Sequence, residues 1–184
     1  AFTALTSSSL AASGAICTVS ATTGGWLLDA SNLPTASRTF NVPSSGSVTF
    51  YGLATTAGVK TYTITCGAKT ATASVSVAAG AQRFITITGA TTGTANGAGV
   101  PVTVAVTDRY GNPTSGTAIT VTASGVSAFT GGQTMQSFTT DATGKYTFLA
   151  TSLVDAGGAA TFSASVAVTT ENSSAAGKSV STVI

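Results

Sequence analysis

Apolar and polar residues alternate with a period of two through most of the chain, and no helical period lasts longer than a turn or two. Successive side chains of a β-strand point to opposite faces of the sheet, so this pattern predicts strands that are buried on one face. Thr, the commonest residue, is β-branched and polar and therefore suits the exposed face of a strand. The sequence predicts an all-β protein.

The predicted strands are short, and Gly-, Pro-, Ser- and Asn-rich turns separate them at a spacing typical of β-sandwiches rather than of βαβ units. In the first half the predicted strands are residues 2–7, 15–21, 26–30, 37–42, 47–54, 60–67 and 70–78. In the second half they are residues 84–88, 100–108, 117–124, 135–140, 145–152, 159–169 and 178–184. Because residues 78–82 read as a linker, we predict two tandem β-sandwich domains, residues 1–79 and 80–184.

Charged side chains are scarce, with seven Lys and Arg, five Asp and Glu, and no His. Without His there is no Ser-His or Cys-His dyad and no imidazole metal site. Five carboxylates leave few chances for an acid–base pair, and a net charge of +2 gives no footprint for nucleic acid. We therefore expect no enzyme activity, no cofactor, no metal and no nucleic-acid partner.

The start of the sequence and the length of its apolar runs bear on localisation. No apolar run is long enough to span a membrane, and no basic segment followed by an apolar core begins the chain. We therefore expect no membrane span, and the chain is expected to be either a mature product or a piece of a longer protein.

Two cysteines, Cys17 and Cys66, lie in predicted strands at a spacing that fits neither a metal quartet nor a C-x-x-C pair. One disulfide between them would indicate an oxidising compartment, and hence an extracellular or cell-surface protein. In the chain-entropy model a bond that closes such a loop contributes about 4 kcal/mol. Two buried free thiols are the alternative.

The second half contains the phrase VTVAVTDRYGNP, beginning at Val102, and the phrase TTDATGKYTF, beginning at Thr139. A strand, a D-x-x-G-N-P turn and a later T-D-x-x-G-K strand, in this order, resemble bacterial immunoglobulin-like domains of the invasin/intimin type. The resemblance covers about half of the predicted second domain, and it implies an immunoglobulin-like β-sandwich.

The two turns within these phrases contain the candidate ligand loop of the second domain, Asp108, Tyr110, Asn112 and Asp141. Asp108, Asn112 and Asp141 could bind Ca²⁺, but that ion needs six to eight oxygen ligands and usually several carboxylates. Asp and Asn also form turns through hydrogen bonds to nearby backbone. The turn-forming role is the preferred interpretation.

The first half is similar to another secreted bacterial immunoglobulin-like module, through the phrase TYTITCG followed by ATASVSV and through a Cys that precedes Gly-Gly-Trp. This resemblance supports the Cys17–Cys66 bond. It also implies that Trp26 packs in the core on the disulfide, with Tyr62 as a second core residue. An exposed Trp26 that stacks on a sugar is the alternative.

This alignment leaves the first domain one strand short, because residues 2–7 become its second strand when Cys17 opens the third. Either the chain is a cut from a longer tandem array, or a neighbouring chain supplies the missing strand by β-augmentation. Assembly contacts are therefore expected along the first strand and the last strand. The candidate residues are Phe2, Ala4, Val180, Val183 and Ile184.

These features favour a structural function. We expect a non-catalytic extracellular subunit or stalk segment of a bacterial surface layer, filament or adhesin, in contact with copies of itself or with neighbouring domains of a longer chain. An adhesin-type binding module for a glycan or host receptor is the alternative, and a virion fibre or decoration protein is a variant of the structural hypothesis. Asn172-Ser173-Ser174 fits a glycosylation sequon.

Overall fold

The computed structural model is all-β and divides into two compact units, Ala1–Ala78 and Ala79–Ile184. The structure describes residues 2–3, 12–29, 31–89, 92–93, 99–129, 131–152, 158–167 and 177–183, and of residues 2–3 and 177–183 it describes only the strands. The predicted fold class, two tandem immunoglobulin-like β-sandwiches, is confirmed. The described residues contain no helix of the length and apolarity that a bilayer crossing requires.

The first unit has nine strands among its described residues. They are β1 (Phe2–Thr3), β2 (Ile16–Ala21), β3 (Gly25–Leu28), β4 (Pro34–Thr35), β5 (Ser37–Asn41), β6 (Ser47–Val48), β7 (Gly52–Ala54), β8 (Gly58–Cys66) and β9 (Lys69–Val77). One antiparallel sheet has the order β5-β2-β8-β9, a second has the order β4-β3-β7, and β1 pairs with β6. The long hairpin of β8 and β9 pairs without interruption from Gly58–Val77 to Cys66–Lys69.

The second unit has two four-stranded antiparallel sheets, with the orders β10-β11-β15-β13 and β14-β12-β16-β17. Its strands are β10 (Phe84–Gly89), β11 (Val100–Thr107), β12 (Ala118–Gly125), β13 (Ser127–Phe129), β14 (Met135–Thr139), β15 (Lys145–Ser152), β16 (Ala159–Val166) and β17 (Gly177–Val183). The neighbours β10-β11-β15 and β12-β16-β17 correspond to strands A-B-E and C-F-G of the immunoglobulin fold.

The core of the second unit is large and aromatic. The Phe129 ring lies 5.0 Å from the Phe148 ring and 5.8 Å from the Phe162 ring, measured between centroids. Alternate residues of β11 complete this core, because Val102, Val104 and Val106 are fully buried. This alternation is the period-two pattern of the sequence, with the buried face turned toward the opposite sheet.

The core of the first unit is small. The buried apolar side chains among its described residues are Cys17, Val19, Leu27 and Val42. Half-buried Phe40, Ile64 and Cys66 pack against the cluster that Cys17 and Val42 form. A sheet face covered by so few side chains leaves much of its apolar surface in contact with water.

The predicted strands differ from the observed ones in two respects. The predicted strand 47–54 is split into β6 and β7, and the short strands β4 and β13 were not predicted. All three residues of β13 are buried, so this strand lacks the alternation on which the sequence prediction relied. Parts of the predicted strands 2–7, 159–169 and 178–184 lie outside the described residues.

Candidate functional site

The candidate ligand loop is built around Asp108, which directly follows β11 and is buried. Its Oδ1 accepts hydrogen bonds from the backbone N–H groups of Tyr110 at 2.8 Å and Asn112 at 2.9 Å. Its Oδ2 accepts from the Asn112 side chain at 2.8 Å and from the Gly80 N–H at 2.9 Å. Both oxygens are therefore engaged in holding the turn and the start of the unit.

The ionised form of Asp108 is stabilised in this environment. Burial alone would raise the pKa of the carboxyl, but the hydrogen bonds from Asn112, Gly80 and Tyr110 together hold the pKa below its ordinary value. A buried carboxylate that accepts four hydrogen bonds has little capacity left for a ligand. This geometry favours the turn-forming interpretation of Asp108 over the calcium site.

Asp141, the second carboxylate of the candidate ligand loop, also uses its side chain to hold a turn. Asp141 Oδ1 accepts from the Thr143 hydroxyl, the Thr143 N–H and the Lys145 N–H, and these bonds lower the pKa of its carboxyl. Tyr110 is 55% exposed, and the Arg109 guanidinium lies 5.3 Å from its ring centroid. No group of three His, Cys, Asp or Glu side chains that could hold a metal occurs in the part of the chain that the structure describes.

The predicted disulfide is confirmed, with Cys17 bonded to Cys66. The two cysteines are register partners on neighbouring strands, β2 and β8. The bond therefore lies within one sheet, whereas the disulfide of antibody domains joins the two sheets of the sandwich. This placement removes the reason to expect a tryptophan packed over the bond between the sheets.

The prediction that Trp26 lies in the core is wrong. Its side chain is 39% exposed, while the next residue, Leu27, is 1% exposed. Adjacent residues of a strand face opposite ways, so the burial of Leu27 turns Trp26 outward. Trp26 lies opposite Leu53 on β7, which is 46% exposed, and Tyr51 is 71% exposed. We call Trp26, Tyr51 and Leu53 the outer patch.

Tyr62 is half-buried and lines a cleft of about 340 Å³ in the first unit. The cleft is lined by Val19, Leu27, Phe50, Gly52, Tyr62, Ile64, Ala71, Thr72, Ala73 and Val75. Gly52 allows the Tyr62 ring to approach the backbone, because a β-carbon at Gly52 would lie 2.8 Å from the ring carbon Cζ. Sequence reasoning missed this cleft, since its lining comes from five strands and a loop that are distant along the chain.

The predicted assembly contacts fall on terminal strands that pair within their own units. Phe2 in β1 is the register partner of Val48, and Val180 and Val183 in β17 are partners of Phe162 and Ala159. Ala4 and Ile184 lie outside the described residues, as does the sequon at Asn172. That the terminal strands make assembly contacts stays a prediction.

Comparisons with known proteins give likenesses only among solved structures. No family model and no curated protein matches the chain. The chain is similar to invasin, a bacterial integrin-binding protein, with 19% identity and a TM-score of 0.43, over 98% of this chain and 34% of that one. It is similar to the D0-D1 domain of intimin, with 20% identity and a TM-score of 0.37, over 97% of this chain and 86% of that one.

A third similar structure is a β-glycosidase from Bacteroides vulgatus, with 13% identity and a TM-score of 0.46. The likeness covers 100% of this chain and 24% of that one. The chain thus spans about a third of the invasin chain and about a quarter of the glycosidase chain. Invasin and intimin, which the sequence phrases resemble, are both among the similar structures.

Proposed function

We propose that this chain is a non-catalytic structural part of an extracellular or cell-surface assembly, in which strand edges and sheet faces contact neighbouring polypeptides. The main support for this proposal is a contrast between the polar and the apolar groups of the surface. The polar groups that could have formed a ligand site, led by Asp108, are used to hold turns, whereas apolar groups of the first unit are exposed. Exposed apolar surface on a folded domain is typical of a contact site.

The remaining surface is consistent with close packing between subunits. Charged residues make up only 7% of the chain, so few ion pairs or isolated charges must lose their water when surfaces meet. Thr and Ser cover the outer faces of the sheets, as in the hydroxyl pair of Thr18 and Thr39 at 3.1 Å. The Cys17–Cys66 disulfide supports the extracellular assignment, because such bonds persist in oxidising compartments.

Electron microscopy of the native material, combined with its mass in solution, tests this function. Ordered filaments or sheets are expected, together with species heavier than a single polypeptide as measured under denaturing conditions. A dispersed species with the mass of one polypeptide at every concentration, with no ordered material, would contradict the assembly role. The specimen for this experiment is the material as its source produces it.

A binding module for a glycan is the second candidate, and the outer patch favours it. Trp26 and Tyr51 present aromatic surface at the outside of a sheet, and sugar rings commonly stack on such side chains. If the protein is dispersed in solution, a glycan array probed with the wild type and with Trp26→Ala is the next experiment. Binding that the substitution abolishes would establish the second candidate.

A further inference from the structure

The strands at the edges of the sheets differ in how they are protected against pairing with other strands. An exposed edge is a template for a further strand, and proteins commonly protect it with a charged side chain or keep the strand very short. Among the described edge strands, β5 contains Arg38, β9 begins with Lys69, β17 contains Lys178, and Arg83 directly precedes β10. The strands β1, β4 and β6 have two residues each, and β7 and β13 have three.

The exception among the described strands is β14, in the second unit. It has five residues and lies at the edge of the sheet β14-β12-β16-β17, with β12 as its described partner. It contains no Pro, and no charged residue occurs between residues 117 and 140. Turns at Phe129–Gly132 and Asp141–Gly144 lead the chain away from this edge on both sides. The strand β14 therefore has an edge with neither of the two protections.

Hydrogen bonds just beyond the two ends of β14 show which backbone groups face its outer edge. The Thr134 carbonyl accepts a hydrogen bond from a β12 N–H at 2.8 Å, and the Thr140 N–H donates at 3.0 Å to the residue before β12. Hydrogen-bonded and non-hydrogen-bonded pairs alternate along an antiparallel ladder. The N–H and C=O groups of Met135, Ser137 and Thr139 therefore point away from β12.

These three positions are symmetric about Ser137, so β14 is complementary to a second copy of itself. When two copies pair antiparallel about a two-fold axis at Ser137, this residue lies opposite its own counterpart and Met135 lies opposite Thr139. Every outward backbone group is then in a hydrogen-bonded pair, whose two residues exchange both N–H···O bonds. The side chains of all three residues are exposed, and that of Met135, 64% exposed, would lie against Thr139 of the second copy.

The charges of the second unit also favour a second copy as the partner. Residues 79–184 contain four Lys and Arg and four Asp and Glu, so the formal net charge of the unit is zero. Two such units approach each other without net repulsion. Two-fold pairing of β5 or of β17 would place two copies of Arg38 or of Lys178 at the junction, whereas paired β14 strands contain no charge.

We propose that two copies of this chain pair through β14, antiparallel and in the register centred on Ser137, so that their β14-β12-β16-β17 sheets form one continuous sheet. Backbone hydrogen bonds provide the attraction, and the two-fold register makes the contact isologous. An edge of five residues buries less area than a standard interface, so this contact is weak by itself and gains strength from the other contacts of an assembly. The inference rests on the proposed function, because it names the edge and the partner of one assembly contact.

Cysteine cross-linking in the full chain tests the register. In Ser137→Cys the two thiols lie on opposed residues of a hydrogen-bonded pair, whose Cα atoms are about 5.5 Å apart, and a disulfide spans this distance. Mild oxidation should therefore give a covalent dimer on a non-reducing gel. Thr139→Cys is the matched control, because its two copies are offset by four residues, about 13 Å along the strands, and it should give about fivefold less dimer. Equal yields from the two variants, or no dimer from Ser137→Cys, would overturn the proposal.

A charge at the same position tests the energetics. Ser137→Lys places two like charges opposite each other and should weaken self-association, measured by sedimentation velocity over a concentration series, by about fivefold or more. Ser163→Lys is the matched control, because Ser163 is an exposed residue of β16 on the same face of the sheet, away from the edge. It adds the same charge and should change the association by less than about twofold. Equal effects of the two substitutions would overturn the proposal.

Electron microscopy of the same variants separates this edge from the proposed function. Ordered assemblies that persist unchanged in Ser137→Lys would refute the edge and leave the structural function standing. Order that is lost in Ser137→Lys and retained in Ser163→Lys would support both. A cross-link specific to Ser137→Cys, formed by a protein that never builds ordered assemblies, would support the edge and refute the function.

Discussion

The two units contain similar strands, but among the described residues only the second forms two four-stranded sheets around one large buried cluster. In the second unit, aliphatic residues of β10 and β11 and the rings of Phe129, Phe148 and Phe162 form one buried cluster. In the first unit the buried cluster is Cys17 with Val42, and Val75 is exposed over an open cleft. One chain therefore combines a unit held by a large apolar core with a unit whose described residues bury few apolar side chains.

The disulfide is expected to contribute a large share of the stability of the first unit. A small core provides little hydrophobic stabilisation, so a covalent link between β2 and β8 contributes a larger share of the stability. Trp26, the lone tryptophan, lies in the first unit, and its fluorescence reports on that unit alone. The comparison between the units can therefore be tested within one intact chain.

The largest expected effect is in the core of the second unit. Phe148→Ala removes a buried ring that packs against three others and should lower the free energy of unfolding of that unit by about 3–5 kcal/mol. Leu149→Ala, on the opposite face of β15 and 52% exposed, is the control and should cost less than about 1 kcal/mol. Urea unfolding by circular dichroism measures both. A Trp26 fluorescence transition that shifts as far as the dichroism transition would contradict independent cores.

Removal of the disulfide should act on the first unit. The double substitution Cys17→Ala and Cys66→Ala should lower its free energy of unfolding by about 2–5 kcal/mol, because the unfolded chain gains freedom. The Trp26 fluorescence transition in urea measures this loss, because the lone tryptophan lies in the first unit. An unchanged Trp26 transition would show that packing alone holds the first unit.

The smallest effect concerns the Asp108 turn. Asp108→Asn should lower the free energy of unfolding of the second unit by about 1–3 kcal/mol at neutral pH, because it removes an ionised acceptor of four hydrogen bonds. The pKa of Asp108 is depressed in the folded state, so the unfolded chain binds protons first as the pH falls. This stabilisation is present above about pH 4 and is lost as the pH falls through the lower, folded pKa.

Unfolding in urea at pH 7 and at pH 3 tests whether the stabilisation by Asp108 is lost as the pH falls. The wild type should lose more stability than Asp108→Asn between these two conditions. Asp141, whose pKa is also depressed, contributes equally to both proteins and so cancels in the difference. Equal losses in the two proteins would show that the Asp108 carboxylate does not provide the stabilising charge.

Much of the fold was predictable from local pattern. The strand β11 and the turn after it were predicted from alternation and from Asp108 and Asn112, because the hydrogen bonds that hold this turn join residues close along the chain. The disulfide was predictable because Cys17 and Cys66 both lie in strands, but its position within one sheet was not. That position depends on which strands become neighbours, and local pattern carries no information on this point.

The side on which Trp26 lies illustrates the same limit. The two-residue alternation of a strand predicts that Trp26 and Leu27 face opposite ways, but it does not predict which face the second sheet covers. Nor does a strand pattern show which strands pair with β7 or which strands pack on β9. Both depend on pairing between strands that are distant along the chain.

The amino-acid sequence by itself determined the all-β class, the positions of most strands and turns, and the scarcity of chemistry for catalysis, because these follow from residue types and near-neighbour spacing. The tertiary structure alone decided which faces are buried, where the disulfide lies and where the cleft opens. The reason is physical: burial is settled by contacts between strands far apart in sequence, and the same alternating strand can be a core element in one unit and an exposed edge in the other.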